Sequence, residues 1–330
     1  LVSEIQTVIP IDTVKSIDEL SCLLDQAGRR DPADLVQNIK EAIKGNIGPY
    51  ITSSVGVAAN RQLAKMACKA SKRVGGGYGN GLAVWHPRDM PAPLFKVQLE
   101  DIPGIGKRMA QRLFRVGIQT TEQLYAIQSK HMRRLWGNVT GERLWYALHG
   151  YEVQAPESER GMFGHGRVLP PQDRSLSGAY GTARLLLIKA ARRLRREGFY
   201  CAGIHLSLSV RDGSWSDKQH LPIVNDDFAI LEGLDDLWRN VKRAWPRGVA
   251  VFRVSVTLYN LSRSDERQLD MLLMDDGRRG RAERASIAVD ELNARYGKTV
   301  ISHGMWSTPA RDNVGGKIAF SRIPSSEDFW

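Results

Sequence analysis

The chain has 330 residues, of which 42% are hydrophobic and 25% are charged. This balance is typical of globular proteins, and the length is sufficient for two or three domains, each with its own core. The longest purely aliphatic run, Leu185 to Ile188, is far too short to cross a bilayer, and no charged leader with an apolar stretch opens the chain. We therefore expect neither a membrane-spanning nor a secreted protein.

The cysteines and the first residue add two expectations. Cys22, Cys68 and Cys201 are far apart and odd in number, and no Cys/His spacing suits zinc. They predict reduced thiols in the cores of a cytoplasmic protein. The chain begins with Leu1 rather than Met, inside a patterned segment. We therefore expect a fragment whose beginning is missing.

The net charge of +11 is concentrated in the middle of the chain. Residues 98–200 contain 17 Lys and Arg against 9 Asp and Glu, whereas residues 201–330 contain 18 of each. This distribution indicates one region that faces a polyanion. A solvated basic face without a partner is the simpler alternative.

Residues 1–90 have the patterns of a mixed helix-and-sheet domain whose first part is absent. Strand-like segments flank a pair of acidic residues, and helical spacings follow. The predicted strands are Glu4–Ile9, Leu20–Leu24 and Tyr50–Ala58, and the predicted helices are Asp34–Ile43, ended by Gly45, and Asn60–Ala70. A short apolar stretch, Leu82–Trp85, follows.

Residues 91–154 are predicted to be helical, and a polar linker over 155–162 follows. Residues 163–260 then predict a β-α-β-β-α-β domain with a hairpin turn at Asp212-Gly213, so the fold class is α+β. Its elements are predicted at Phe163–Leu169, Gly178–Glu197, Gly203–Val210, Lys218–Val224, Ala229–Trp245 and Val249–Leu258. Residues 261–330 form a C-terminal extension with one further helix, Ala282–Arg295.

Asp18 and Glu19 are the candidate catalytic and metal-binding residues. Neighbours on a regular strand point to opposite faces, so the backbone must bend for both carboxylates to reach one site. Hard divalent cations such as Mg²⁺ prefer such oxygen ligands, and a metal pair stabilises the attacking and leaving oxygens in phosphoryl transfer. Two solvated surface acids are the simpler alternative.

Two further segments have residue types that bind phosphates. Lys65, Lys69 and Lys72 share one helical face, which could contact a triphosphate or be an ordinary lysine surface. The second segment is a glycine hairpin followed by a helix whose first amides are free for DNA phosphates. Its candidate DNA-binding residues are Gly104, Ile105, Gly106, Lys107 and Arg108. An ordinary helix connection is the alternative, and Leu135–Leu148 is a weaker second copy.

Two later segments are more ambiguous. Arg192 and Arg193 belong to an arginine run at a helix end, where cations are favourable by themselves, so part of the run is structural and part is a candidate DNA contact. A short peptide with apolar anchors could dock in a partner's groove or pack on its own domain. It consists of Gln268, Leu269, Asp270, Met271 and Leu272.

Taken together, four segments resemble the Y family of translesion DNA polymerases, of the bacterial DNA polymerase IV kind. Ser16-Ile17-Asp18-Glu19 resembles the palm acid motif, and residues 54–72 resemble the palm strand and helix that include the triphosphate-binding lysine. Residues 102–106 resemble the thumb hairpin. Residues 164–169 resemble the entry to the little finger, where Arg167 is a candidate DNA contact.

The resemblance implies a partial polymerase palm, an all-helical thumb with a helix-hairpin-helix, and a DNA-binding little finger. It implies template-directed DNA synthesis past damaged bases with two Mg²⁺ ions, on primer-template DNA and a deoxynucleoside triphosphate. Asp18 and Glu19 would hold Mg²⁺, and Lys72 would contact the triphosphate with support from Lys65. Residues 268–272 would bind the sliding clamp.

The chain departs from the family pattern in two places. The family's first metal-binding Asp and its fingers would precede Leu1, and Lys72 is followed by Arg73 where the family usually has Pro. We therefore expect one metal site to be incomplete and this chain alone not to polymerise. Two alternatives stay open: a non-catalytic relative that acts as a DNA-lesion or clamp scaffold, and an unrelated helix-hairpin-helix repair protein.

Overall fold

The structure, a computed structural model, describes residues 1–74, 81–154, 160–246, 248–266 and 276–304. They divide between two compact units, one within Leu1–Pro156 and one within Glu157–Ile318. Both units combine helices with strands, which confirms the α+β class. Among these residues, no helix has the length and apolar content that a membrane crossing requires.

The first unit begins with α1 (Val2–Gln6), an antiparallel hairpin of β1 (Ile11–Val14) and β2 (Leu20–Cys22), α2 (Gln26–Arg30) and α3 (Pro32–Asn46). The predicted strand Glu4–Ile9 is wrong. Its residues Ile5 and Ile9 are four apart, which is one helical turn, and both are buried in a small core with Ile43 of α3. Gly45 does not end α3, which continues for one more residue.

A β-α-β unit follows, in which β3 (Val55–Val57) pairs in parallel with β4 (Leu82–Val84) and α4 (Arg61–Val74) connects them. A side chain on Gly56 would place its Cβ 2.0 Å from the carbonyl oxygen of Ala64, so glycine permits β3 to lie directly on α4. The predicted strand from Tyr50 was too long, since Tyr50 is 94% exposed. The strands of this region form two separate pairs, β1-β2 and β3-β4.

The rest of the first unit is helical, as predicted. It contains α5 (Ala92–Phe95), α6 (Lys107–Arg115), α7 (Thr121–Ala126), α8 (Ser129–Trp136) and α9 (Val139–Leu148), with 3₁₀ turns at Pro87–Asp89 and Leu99–Asp101. The buried side chains of α4, such as Leu63 and Met66, belong to the same apolar core as those of α6 to α9. The helix of the β-α-β unit therefore packs together with the helical region.

The second unit has the predicted β-α-β-β-α-β order. Its elements are β5 (Met162–Val168), α10 (Leu176–Arg196), β6 (Phe199–Val210), β7 (Gly213–Val224), α11 (Asp227–Ala244) and β8 (Val251–Arg263), followed by α12 (Asp276–Tyr296). The sheet is antiparallel in the order β5-β8-β6-β7. The β6–β7 loop is Arg211-Asp212, one residue earlier than predicted.

One face of this sheet forms the core with α10 and α11. The buried side chains on that face include Phe163, Ile204, Leu206, Val254 and Val256. Because side chains alternate along a strand, the intervening residues lie on the opposite face. The three cysteines are free thiols, but only Cys201 is buried in a core as predicted, while Cys22 and Cys68 are half-buried. Burial raises the pKa of Cys201 to about 12.

Candidate active site and nucleic-acid interface

The acid pair, Asp18 and Glu19, lies in the turn between β1 and β2. The amides of Lys15 and Ser16 both donate to the carbonyl oxygen of Glu19, at 2.8 and 3.0 Å, and close the turn. The hydroxyl of Ser16 donates to Asp18 Oδ1 at 2.5 Å and fixes that carboxylate. The chain therefore bends at the acid pair, as a shared metal site requires.

Glu19 is paired with Lys65 of α4. The Lys65 ammonium lies 2.7 Å from Glu19 Oε1 and 2.9 Å from Oε2, and both side chains are about half exposed. Within the described part of the chain, no group of three or more His, Cys, Asp or Glu side chains could hold a metal ion. The acid pair thus offers oxygen ligands of the kind that Mg²⁺ prefers, but only two carboxylates.

Three cations at every fourth residue of α4, Arg61, Lys65 and Lys69, each contact a carboxylate in a different segment. Arg61 pairs with Asp12 of β1 at 2.7 Å, and the Lys65–Glu19 pair follows one turn later. This Arg61 contact was missed, although the spacing of Arg61 to Lys65 was visible. Lys72 lies two turns beyond Lys65 on the same face of α4 and is exposed.

The third cation of this series, Lys69, lies apart from the acid pair. Its ammonium is 2.9 Å from Asp101 Oδ1, at the end of the 3₁₀ turn that precedes the glycine hairpin. The three lysines are close in angle around α4, as predicted, but their partners belong to different parts of the unit. Lys69 is therefore left out of the candidate triphosphate set.

The glycine hairpin, residues 102–106, is anchored by two isoleucines. Ile102 and Ile105 are buried in the helical core, and the Ile105 amide donates to the Ile102 carbonyl oxygen at 2.9 Å. Gly104 has a φ of +97°, a left-handed conformation that favours glycine. Ile105 therefore holds the hairpin by packing, and its side chain is not exposed to a ligand.

The helix after the hairpin presents its amides to solvent. Gly106 is the N-cap of α6 and has no side chain to accept from the first turn, while Lys107 and Arg108 are exposed. The uncapped amides and the positive end of the helix dipole form a suitable contact for a phosphate. The second, weaker copy differs, because the Asn138 side chain accepts from the Thr140 amide and caps α9.

The sheet face of the second unit that lies opposite α10 and α11, here named the open face, is rich in small polar residues. Cross-strand pairing arranges sixteen residues in four rows, none of them acidic. The rows are Val168-Arg253-Ser209-Ser214, Gly166-Ser255-Ser207-Ser216, Gly164-Thr257-His205-Lys218 and Met162-Tyr259-Gly203-His220. Sequence reasoning missed this surface, although the alternation of Ser, Lys and His along β7 was a visible signal.

Burial lowers the pKa of His205 on the open face, and the nearby Lys218 lowers it further. The neutral imidazole therefore dominates at neutral pH. Arg253 and Lys218 are exposed on the same face and supply its fixed positive charge. A small polar surface with flanking cations can approach a phosphate backbone closely without steric hindrance.

The arginine run at the end of α10 mostly makes contacts inside the second unit. Arg192 is buried and lies 3.2 Å from Asp290 of α12, while Arg195 lies 2.7 Å from both Asp227 and Asp290. Arg193 donates to the Gly164 carbonyl oxygen at 3.4 Å. The run thus holds α12 and β5 in place, so Arg192 is left out of our proposed DNA-contacting set.

Two other predicted positions remain. Arg167 is half-buried on β5, and strand alternation puts it on the side of Phe163 rather than on the open face. The peptide of residues 268–272 lies outside the described residues.

Comparisons with known proteins agree with these features. The model of the impB/mucB/samB family matches residues 2–69, and the model of that family's C-terminal domain matches residues 162–271. The model of the DNA polymerase-iota thumb domain matches residues 100–152. DNA polymerase IV of Moorella thermoacetica is 30% identical over 314 residues, which cover 91% of this chain and 73% of that protein. The putative UV-damage repair protein UvrX of Bacillus subtilis is 28% identical, covering 89% of this chain and 70% of that protein.

Among solved structures, a Y-family DNA polymerase chimera of Dbh and Dpo4 has the same fold. The TM-score is 0.60 at 22% identity, and the match covers 78% of this chain and 73% of that chain.

Proposed function

The chain belongs to the Y family of translesion DNA polymerases, and we propose that it supplies the catalytic acid pair and the DNA grip of an enzyme that copies DNA past damaged bases. The observation that carries the proposal is the arrangement in the first unit. There, one helix, α4, contacts both the acid pair, through Lys65, and the glycine hairpin, through Gln62. We assign residues 1–90 to a partial palm, 91–154 to the thumb, 155–162 to a linker, 163–260 to the little finger and 261–330 to an extension.

The reaction is template-directed nucleotidyl transfer on primer-template DNA and a deoxynucleoside triphosphate. Asp18 and Glu19 would hold Mg²⁺, which would neutralise charge on the attacking and leaving oxygens. The Ser16 hydroxyl holds the Asp18 carboxylate in position for this role. Lys65, which pairs with Glu19, lies on the same face of α4 as Lys72, and both cations would contact the triphosphate.

The DNA is held by its backbone at two places. The α6 amides, with Lys107 and Arg108, contact phosphates at the thumb hairpin, and the open face contacts them through Arg253 and Lys218. Binding of this kind is independent of base sequence, which suits an enzyme that must accept damaged templates. The free thiols support a cytoplasmic location. We propose the sliding clamp as the partner of residues 268–272.

The experiment that tests the DNA grip is binding of a primer-template, measured by fluorescence anisotropy across salt concentrations. We expect the binding constant to fall steeply with salt, and Lys107→Ala to reduce the slope by about one. Lys44→Ala, which removes an exposed charge from α3, is the matched control and leaves the slope unchanged. Binding that does not respond to salt contradicts the proposal.

A non-catalytic scaffold is the second candidate, and one observation favours it. The described residues provide only two carboxylates at the acid pair, and Lys65 already neutralises one of them. Both candidates predict DNA binding. Only the polymerase predicts that Mg²⁺-dependent primer extension appears when a segment with a third carboxylate precedes this chain.

A further inference from the structure

Two side chains on one side of α4 contact the glycine hairpin and the residue that precedes it. The side-chain amide of Gln62 donates to the carbonyl oxygen of Pro103 at 2.8 Å, and Lys69 pairs with Asp101 at 2.9 Å. Gln62 and Lys69 are seven residues apart, which is two helical turns, so they lie on the same side of α4. Between them Met66 is fully buried in the shared core.

The Gln62 contact controls the direction of an exposed backbone amide in the hairpin. Pro103 has no N–H, and its carbonyl shares a peptide plane with the amide of Gly104. The carbonyl oxygen and the amide hydrogen of a trans peptide point in opposite directions. Because Gln62 draws the Pro103 oxygen towards α4, the Gly104 N–H points away from α4, where Gly104 is exposed.

The Lys69 contact fixes the start of the same hairpin. Asp101 is only 13% exposed at its side chain, and its backbone amide donates to the Gln98 carbonyl oxygen at 2.9 Å. An ion pair with such a shielded carboxylate restrains the 3₁₀ turn more firmly than a fully exposed pair would. The two contacts thus hold the hairpin at Pro103 and at Asp101, the residue that immediately precedes it.

We propose that Gln62 and Lys69 are positioning residues that set the thumb hairpin at a fixed distance from the acid pair. The same helix carries Lys65, which contacts Glu19, so one rigid helix connects the two sites. Primer-template DNA that is bound at the hairpin therefore lies at one fixed position relative to the acid pair. This inference rests on the proposed function, because it presumes that the hairpin binds DNA.

The test compares salt-dependent primer-template binding among wild type, Gln62→Leu, Lys69→Met and Lys107→Met. We expect Gln62→Leu and Lys69→Met to weaken binding about fivefold, the effect of one lost hydrogen bond, with the salt slope unchanged. Lys107→Met removes a phosphate contact and reduces the slope by about one. Gln37→Leu on α3 is the matched control for Gln62, because its side-chain amide donates to Glu41, an exposed residue of the same helix.

Asp101→Asn separates positioning from simple electrostatics. Removal of a negative charge near DNA should strengthen binding, whereas loss of a positioning contact weakens it, and we expect weakening. Circular dichroism shows whether each variant remains folded, and Asp101→Asn, which preserves side-chain size, provides the answer if Gln62→Leu does not fold.

Three results overturn the inference: unchanged binding by Gln62→Leu, tighter binding by Asp101→Asn, or a slope reduced by about one in Lys69→Met. The last would make Lys69 a direct phosphate contact. Wild-type protein that does not bind in a salt-dependent way contradicts the proposed function, and the inference with it. If the wild-type protein binds DNA in a salt-dependent way and Gln62→Leu and Lys69→Met bind as tightly as wild type, the inference is rejected and the proposed function stands.

Discussion

Replacement of Arg195 by Met removes the centre of a buried ionic cluster in the second unit. Arg195 is 4% exposed at its side chain and pairs with Asp227, which is 1% exposed, and with Asp290 of α12. Met preserves much of the volume but leaves the Asp227 carboxylate buried without its guanidinium. Burial already raises the pKa of Asp227, which shows how unfavourable the charge is at this position.

Loss of one partner from a buried ion pair costs about 3–5 kcal/mol. For a unit of this size, that corresponds to a fall in Tm of roughly 10–20 °C. Calorimetry measures the shift, and hydrogen exchange resolved by peptide shows whether α12 loses protection first, as we expect because Asp290 tethers it. Arg211→Met, in the exposed β6–β7 loop, is the control and should change Tm little.

A double variant separates the orphaned charge from lost packing. Arg195→Met with Asp227→Asn removes the uncompensated carboxylate, so it should recover part of the lost stability. The reasoning is refuted if Arg195→Met is no less stable than Arg211→Met, or if α12 keeps its protection.

Two further predictions concern the first unit's β-α-β packing and the open face. Gly56→Ala should destabilise the first unit by about 3 kcal/mol, because the added Cβ would overlap the α4 backbone. Gly45→Ala is the control: nothing lies within 4 Å of its added Cβ, so it should stabilise the unit slightly. Equal urea midpoints for the two variants would contradict the prediction. NMR titration should place the pKa of His205 below 6.5 and move it upward in Lys218→Ala. Because the folded state binds this proton more weakly than the unfolded state, the contribution of His205 to stability is present above pH 6.5 and is lost as pH falls through the folded pKa. A pKa unchanged by Lys218→Ala would be inconsistent with that cause.

The spacing of neighbouring residues predicted most of the helices, strands and turns of this chain. Contacts between residues far apart in sequence could not be predicted from local spacing. The bend at Asp18 and the hairpin at Gly104 follow from residue type and spacing, so both could be predicted. The helix at Ile5 was mistaken for a strand because two apolar residues four apart also fit a loose alternation.

The arginine run shows why burial is hard to predict from sequence alone. Arg192 and Arg195 read equally well as DNA contacts, because their partner Asp290 is about 95 residues away and beyond the patterned domain. The Gln62–Pro103 and Lys69–Asp101 contacts, between residues 41 and 32 positions apart, could not be predicted for the same reason. Such pairs are set by tertiary packing, which local propensity does not specify.

The most direct test of the polymerase assignment is primer extension by a polypeptide in which this chain follows a segment with the family's first metal-binding Asp. We predict extension that requires Mg²⁺, is abolished by Asp18→Ala, and is kept by Glu41→Ala, an exposed acid on α3. Full extension by the Asp18→Ala variant would contradict the assignment of the acid pair as the catalytic site.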